Sequence, residues 1–175
     1  SGIAGDLSMD GAPPQTQEVV LPIFSTSQQQ LAEAIDAGGV TLSRWKDWRW
    51  QLKHAIRDID RVEELLGIHF EAEEKARLEE TLRRFPLAIT PYYLSLVDND
   101  GFRDDPVFRQ AFPSPRELEL DACDLADPLA EDRDSPVPGV THRYPDRVLL
   151  QISNVCAMYC RHCTRKRKVG DVDSV

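Results

Sequence analysis

Residues 147 to 163 read R-V-L-L-Q-I-S-N-V-C-A-M-Y-C-R-H-C, and no other stretch of the chain limits the fold as much. The aliphatic opening, residues 147–153, predicts a short buried strand, the one clear strand of the chain. Cys156, Cys160 and Cys163 follow at once, with the spacing C-x3-C-x2-C. Three thiolates on one tight loop suit a [4Fe-4S] cluster with one iron left open. A structural zinc wants four ligands, commonly from C-x2-C pairs. His162 could supply a fourth, but adjacent residues rarely reach the same ion. Cys123, 33 residues before Cys156, is the other candidate for a fourth ligand. Spacing alone leaves both metals open.

Four cysteines in 175 residues do not make a disulfide framework, which points to ligation in a reducing compartment and a cytoplasmic location. Charge is unevenly spread. The net is −9, yet residues 155 to 175 carry five cations against Asp171 and Asp173, a local +3, which leaves −12 on the first 154 residues. An acidic body argues against nucleic acid as a partner. A local basic patch suggests an anionic small molecule or group. Lys166, Arg167 and Lys168 are expected to form a solvated basic turn. No apolar run approaches the roughly 20 residues that cross a bilayer, and the N-terminus shows no secretory pattern, so no membrane partner is expected.

Residues 1–40 read as a flexible N-terminal extension, with a short apolar patch at Val19 to Phe24 and helical turns over Gln28 to Ala37 stopped by Gly38-Gly39. Residues 41–140 read as a helical region. Ser43 is a candidate cap for a helix carrying Trp45, Trp48, Leu52, Ala55, Ile56 and Ile59 at three- and four-residue steps, with the three tryptophans as core or interface anchors. Further helices are expected near Arg61 to Leu66, Glu71 to Arg84 and Asp105 to Phe112, with kinked or short pieces over Leu87 to Val97. Ser114-Pro115-Arg116-Glu117 is a capping box opening a helix to about Asp124, which makes Cys123 a buried small residue. Ala126 to Gly139 is a proline-rich loop. One strand cannot be a sheet, and Val175 falls where the helix of a β-α unit should begin. The fold class expected is α/β, as the N-terminal part of a longer protein.

The C-x3-C-x2-C loop, with His162 just before the last cysteine, resembles the radical S-adenosylmethionine (SAM) signature. Together W-K-D-W-R-W-Q-L-K-H, I-T-P-Y-Y-L-S-L, D-S-P-V-P-G-V-T-H-R-Y-P-D-R-V-L-L and C-A-M-Y-C-R-H-C-T-R-K-R-K resemble the lysine 2,3-aminomutase family, from about residue 41 to the end. The first 40 residues carry none of this resemblance.

The resemblance implies a helical region leading into the first strand and cluster loop of a partial (β/α) radical SAM barrel, starting near residue 141 and truncated at 175. It implies that Cys156, Cys160 and Cys163 hold a [4Fe-4S] cluster whose open iron binds SAM, with His162 near the adenine. It implies pyridoxal 5′-phosphate (PLP), its phosphate held by Arg143, Tyr144 and Arg147, and a substrate carboxylate held by Arg165. Guanidinium forks suit both anions. On the residues alone, Arg143 and Arg147 could equally pair with Asp134 or Asp146 at the surface. The reaction implied is migration of an amino group from carbon 2 to carbon 3 of a small amino acid, L-lysine first and glutamate as the alternative; a third relative modifies a lysine of a translation factor. An electron donor and a homo-oligomeric full-length protein are implied as well. The PLP lysine and the residues reading the substrate's far end are expected beyond residue 175, so this piece by itself is expected to be inactive and to hold no catalytic residue. The rival from another class is a zinc or iron-sulfur interaction module.

Overall fold

A computed structural model describes residues 26–170. The apolar patch at Val19 to Phe24 lies outside them. Seven short helices come first: α1 (Thr26–Ile35), α2 (Leu42–Trp45), α3 (Trp48–Lys53), α4 (Ile59–Leu66), α5 (Ala72–Arg84), α6 (Pro91–Leu94) and α7 (Pro106–Ala111). A 3-10 turn (Pro115–Leu118) and a hairpin of β1 (Val140–Tyr144) and β2 (Arg147–Leu150) follow. Among the described residues no helix is long and apolar enough to cross a membrane.

Local polar chemistry sets most helix ends. The Thr41 hydroxyl accepts from the Arg44 N–H, so Thr41 rather than Ser43 caps α2. Asp47 then caps α3 by accepting from the Arg49 N–H at 2.9 Å, and this second cap splits what periodicity reads as one helix. Asp58 caps α4, which ends at Gly67 with φ of 64°, a conformation that favours glycine. Between these helices the backbones of Ile56 and Ile89 exchange two hydrogen bonds, at 2.8 and 3.0 Å.

The core gathers one apolar face from each helix. Val62 and Leu94 are fully buried, beside Phe70, Leu78, Leu87 and Ile89. Phe112 stacks on both Phe70 and Phe108, with centroids 5.2 and 4.4 Å apart. Of the tryptophans, Trp45 and Trp50 are buried and Trp48 is exposed. Leu31 and Ala32 of α1 are also buried, so the core begins before residue 41.

Three expectations need correction. The run after Arg147 is not buried: β2 is exposed along its length, and Val148, Leu149, Leu150, Ile152 and Val155 are all exposed. It pairs antiparallel with β1, a strand not expected, because Tyr144 and Arg147 face each other across a tight turn at Pro145-Asp146. The helix expected to reach Asp124 stops at Leu118. Its capping box forms, but Leu120 is exposed, and Asp124 accepts from the Asp121 N–H in a turn of its own. Cys123 therefore lies exposed in a turn, not buried in a helix.

Leu94 is fully buried in the core. Leu94→Ala should lower unfolding stability by about 2–5 kcal/mol, read as a lower urea midpoint at unchanged slope.

Candidate functional site

The cysteine loop is tied to the helical region at several points. The Gly170 N–H donates to the Asn154 carbonyl at 3.0 Å and closes the segment. Gly170 has φ of 82°, and a Cβ there would sit 2.6 Å from the Tyr159 hydroxyl, so close packing as well as conformation calls for glycine. Buried Tyr159 donates its N–H to the Ala88 carbonyl at 3.0 Å. Arg161, between the second and third cysteines, is the strongest tie. Its N–H bonds the Gln110 carbonyl at 2.9 Å, and its guanidinium donates to both oxygens of Glu117, at 3.0 and 2.6 Å. The same guanidinium reaches the Pro86 carbonyl at 3.1 Å. Lys166 donates to Glu117 too, with its ammonium 4.3 Å from the centre of the Phe85 ring.

Burial alone would raise the Glu117 pKa, but the hydrogen bonds from Arg161 and Lys166 outweigh it and hold the carboxyl below its ordinary value. Burial holds the Lys166 ammonium below its ordinary value in spite of that partner.

Cys156, Cys160 and Cys163 are free thiols lining one cavity of about 50 Å³, together with Phe85, Pro86 and Met158. Cys156 is exposed and the other two are half-buried. Burial, then the charges of Cys156 and Cys163, pushes the Cys160 thiol up. Bound metal would reverse that, since a coordinating thiol is deprotonated. Three soft donors on one loop and one cavity suit an iron-sulfur cluster in kind. In the described geometry, however, no three His, Cys, Asp or Glu side chains are close enough to hold a metal ion. His162 does not join the thiols. It is exposed and lines a separate cavity with Asp104, Arg109 and Gln110.

A second cavity, of about 300 Å³, brings together Arg143, Tyr144, Arg147 and Arg165 with Glu131, Thr141, Val148 and Leu149. The hairpin supplies Arg143, Tyr144 and Arg147; the cysteine loop supplies Arg165. The surface pairing left open above also occurs. Arg143 donates to Asp134 at 2.9 Å and to the Leu129 carbonyl, and Arg147 lies 3.4 Å from Asp146 and over the Tyr144 ring. First Arg133 and then Arg143 hold the Asp134 carboxyl below its ordinary value.

The basic run is not a solvated turn. Arg165 pairs with Glu131, Lys166 with Glu117, Arg167 with Asp127 and Asp132, and Lys168 with Asp132. Glu117, Glu131 and Arg161 are the site residues that motif reasoning misses. The available signal is the acidic surplus of the first 154 residues, which says that partners exist but not which ones.

No family model matches the chain. It is 51% identical over 134 residues, 77% of its length, to an L-lysine 2,3-aminomutase from Methanococcus maripaludis. It is 52% identical over 130 residues, 74% of its length, to an L-lysine 2,3-aminomutase from Clostridium subterminale. A glutamate 2,3-aminomutase from Clostridioides difficile is 40% identical over 130 residues, 74% of the chain. The matched region covers 31%, 30% and 30% of these relatives, so the chain spans about three tenths of their length.

Glu117→Ala would strand two cations, of which Arg161 is nearly buried. It should cost about 3–5 kcal/mol in urea unfolding at neutral pH. The folded pKa of Glu117 lies below its unfolded value, so its contribution is complete above the ordinary 4.5 and is lost as pH falls through the folded value. The gap between parent and variant should accordingly shrink in acid.

Proposed function

We propose, from a chain homologous to about three tenths of the L-lysine 2,3-aminomutases, that the intact protein moves an amino group from carbon 2 to carbon 3 of an amino acid, with L-lysine as substrate. One observation carries the reading. Four residues that phosphate and carboxylate recognition would require, Arg143, Tyr144, Arg147 and Arg165, line one cavity although two separate segments supply them.

In this reading Cys156, Cys160 and Cys163 would hold a [4Fe-4S] cluster with one iron open to SAM. Arg143, Tyr144 and Arg147 would hold the PLP phosphate, Arg165 the substrate carboxylate, and His162 would lie near the adenine of SAM. When bound, these groups supply one-electron cleavage of the sulfonium and a conjugated system that stabilises the migrating radical. The chain's own part is binding and orientation. Two guanidiniums and a phenol hydroxyl can meet a phosphate with several charge-assisted hydrogen bonds. A guanidinium at Arg165 can fix the substrate's carboxylate end and so the direction in which carbon 3 faces. Tyr159, buried against Gly170, and Met158, packed on the core, cover one side of the cysteine loop.

Lysine is favoured over glutamate because the lysine-named relatives above are 51% and 52% identical and the glutamate-named one 40%. An electron donor and self-association of the intact protein belong to the same proposal. The alternative, a metal-binding interaction module, places no demand on the anion cavity.

The test uses the intact protein, reconstituted with iron and sulfide without oxygen and supplied with PLP, SAM and a strong reductant. A broad visible absorption bleached by dithionite and conversion of L-lysine to β-lysine are expected, with Cys163→Ala losing both. β-Glutamate formed in preference to β-lysine would transfer the assignment to glutamate. Bound zinc, no colour and no β-amino acid would refute the proposal.

A further inference from the structure

The basic residues of the second cavity are not equivalent. Arg147 leans on the exposed Asp146, and Arg143 shares the mostly buried Asp134 with Arg133. Arg165 is held from behind. Its Nε donates to Oε2 of Glu131 at 3.1 Å and its Nη2 to Oε1 at 2.5 Å, a fork-to-fork pair. The Glu131 side chain is only 8% exposed, whereas Arg165 is 35% exposed. The carboxylate is the inner member of the pair and the guanidinium the outer one.

Glu131 is held firmly as well. The Asp127 carboxylate accepts from the Asp132 N–H at 2.8 Å, and the Asp127 carbonyl accepts from the Ala130 N–H at 3.0 Å. This turn forces Ala130 to φ of 51°, a conformation that L residues other than glycine adopt at a cost. That strain lies beside the one buried acidic residue of the segment.

A guanidinium has two edges that can take a carboxylate. Glu131 fills the Nε/Nη2 edge. The side-chain hydrogen bonds of Arg165 run from Nε and Nη2 alone, so Nη1 donates to no acceptor among the described residues. The geometry points to Glu131 as the positioning residue for substrate binding: it fixes the plane of Arg165 and leaves the Nη1/Nη2 edge as the only one open to an incoming carboxylate. The pair stays intact when a second carboxylate arrives, because Glu131 without Arg165 would be a largely buried anion with no counter-ion. A carboxylate approaching an unheld Arg165 would first have to order a long side chain, at a cost of about 2 kcal/mol in rotamer entropy. This inference rests on the proposed role of Arg165.

The test measures equilibrium binding of L-lysine and of L-lysinamide, which lacks the carboxylate, to the intact protein without SAM, so that nothing turns over. The parent should prefer lysine. Arg165→Ala should abolish the preference. Glu131→Gln should reduce it about tenfold, equivalent to about 1.4 kcal/mol, and Glu131→Asp should recover part of it. In the assay for turnover the same Glu131→Gln change should raise KM more than it lowers kcat. A preference lost in Arg165→Ala and unchanged in both Glu131 variants overturns the positioning role alone. A preference unchanged in Arg165→Ala overturns the carboxylate site and, with it, this role. If Glu131→Gln fails to fold, Glu131→Asp decides: its shorter reach should weaken the preference, and parental discrimination there overturns the role.

Discussion

Most of the site hangs on one carboxylate. Glu117 closes the capping box by accepting from the Ser114 N–H at 2.7 Å, and the same group takes Arg161 and Lys166 from the cysteine loop. One side chain thus opens the 3-10 turn at Pro115–Leu118 and anchors the loop that follows about forty residues later. Taking these charges out of water costs several kcal/mol for each ion, so the pair alone is poor evidence of stability. What balances the cost is how fully the groups are satisfied. The Arg161 guanidinium bonds both Glu117 oxygens and the carbonyls of Phe85 and Pro86. With the acid removed, a nearly buried cation would remain; with it present, the middle of the cysteine loop is tied to the helical region through Arg161.

The segment from Asp127 to Asp134 does the corresponding work for the anion cavity. It supplies Glu131 to Arg165, Asp132 and Asp127 to Arg167, and Asp134 to Arg143. The pair of Arg167 with Asp132 is the most exposed of these, of a kind that contributes about 0–1 kcal/mol, so its importance is orientation rather than stability. Charges that sum to a local excess in the sequence are separately neutralised in the structure. A ligand phosphate at Arg143 would then compete with Asp134 as well as with water, whereas a ligand carboxylate at Arg165 has a free edge to use.

How much of this is legible in the sequence depends on the range of the interaction. Some helix ends set by a residue and its own neighbours could be read: α4 stops at Leu66 before Gly67, and Ser114 with Glu117 forms the expected box, although α4 starts at the Asp58 cap, ahead of the expected Arg61. The break between α2 and α3 could not, because the hydrophobic spacing of Trp45, Trp48 and Leu52 outvoted the cap at Asp47. The hairpin was hidden for a different reason. An aliphatic run looks the same whether it is buried or exposed, and periodicity does not report what covers it. Arg143, Tyr144, Arg147 and Arg165 were found by resemblance to known motifs, not by spacing. The tie from Glu117 to the cysteine loop and that from Glu131 to Arg165 are not legible, since a glutamate among many acidic residues gives no sign of a partner tens of residues away.

The chain itself limits how far apart the two parts of the site can be. Arg165 stands two residues after Cys163, so their Cα atoms are separated by at most about 7 Å even in a fully extended backbone. The group proposed to fix the substrate's carboxylate is therefore covalently close to a group proposed to hold the radical source. Movement of the loop would carry both together and largely preserve their spacing. The residues proposed to hold the phosphate lie on the hairpin just before the cysteine loop, Arg147 nine residues ahead of Cys156, so the chain allows them a wider range of separations. Arg165, held by Glu131, lines the same cavity as Arg143 and Tyr144 and so brings the cysteine loop beside that hairpin. The proposed reaction needs the radical, the substrate carbon and the nitrogen acceptor within contact distance, and Arg165 is a residue of the cysteine loop that lines the cavity proposed for two of them.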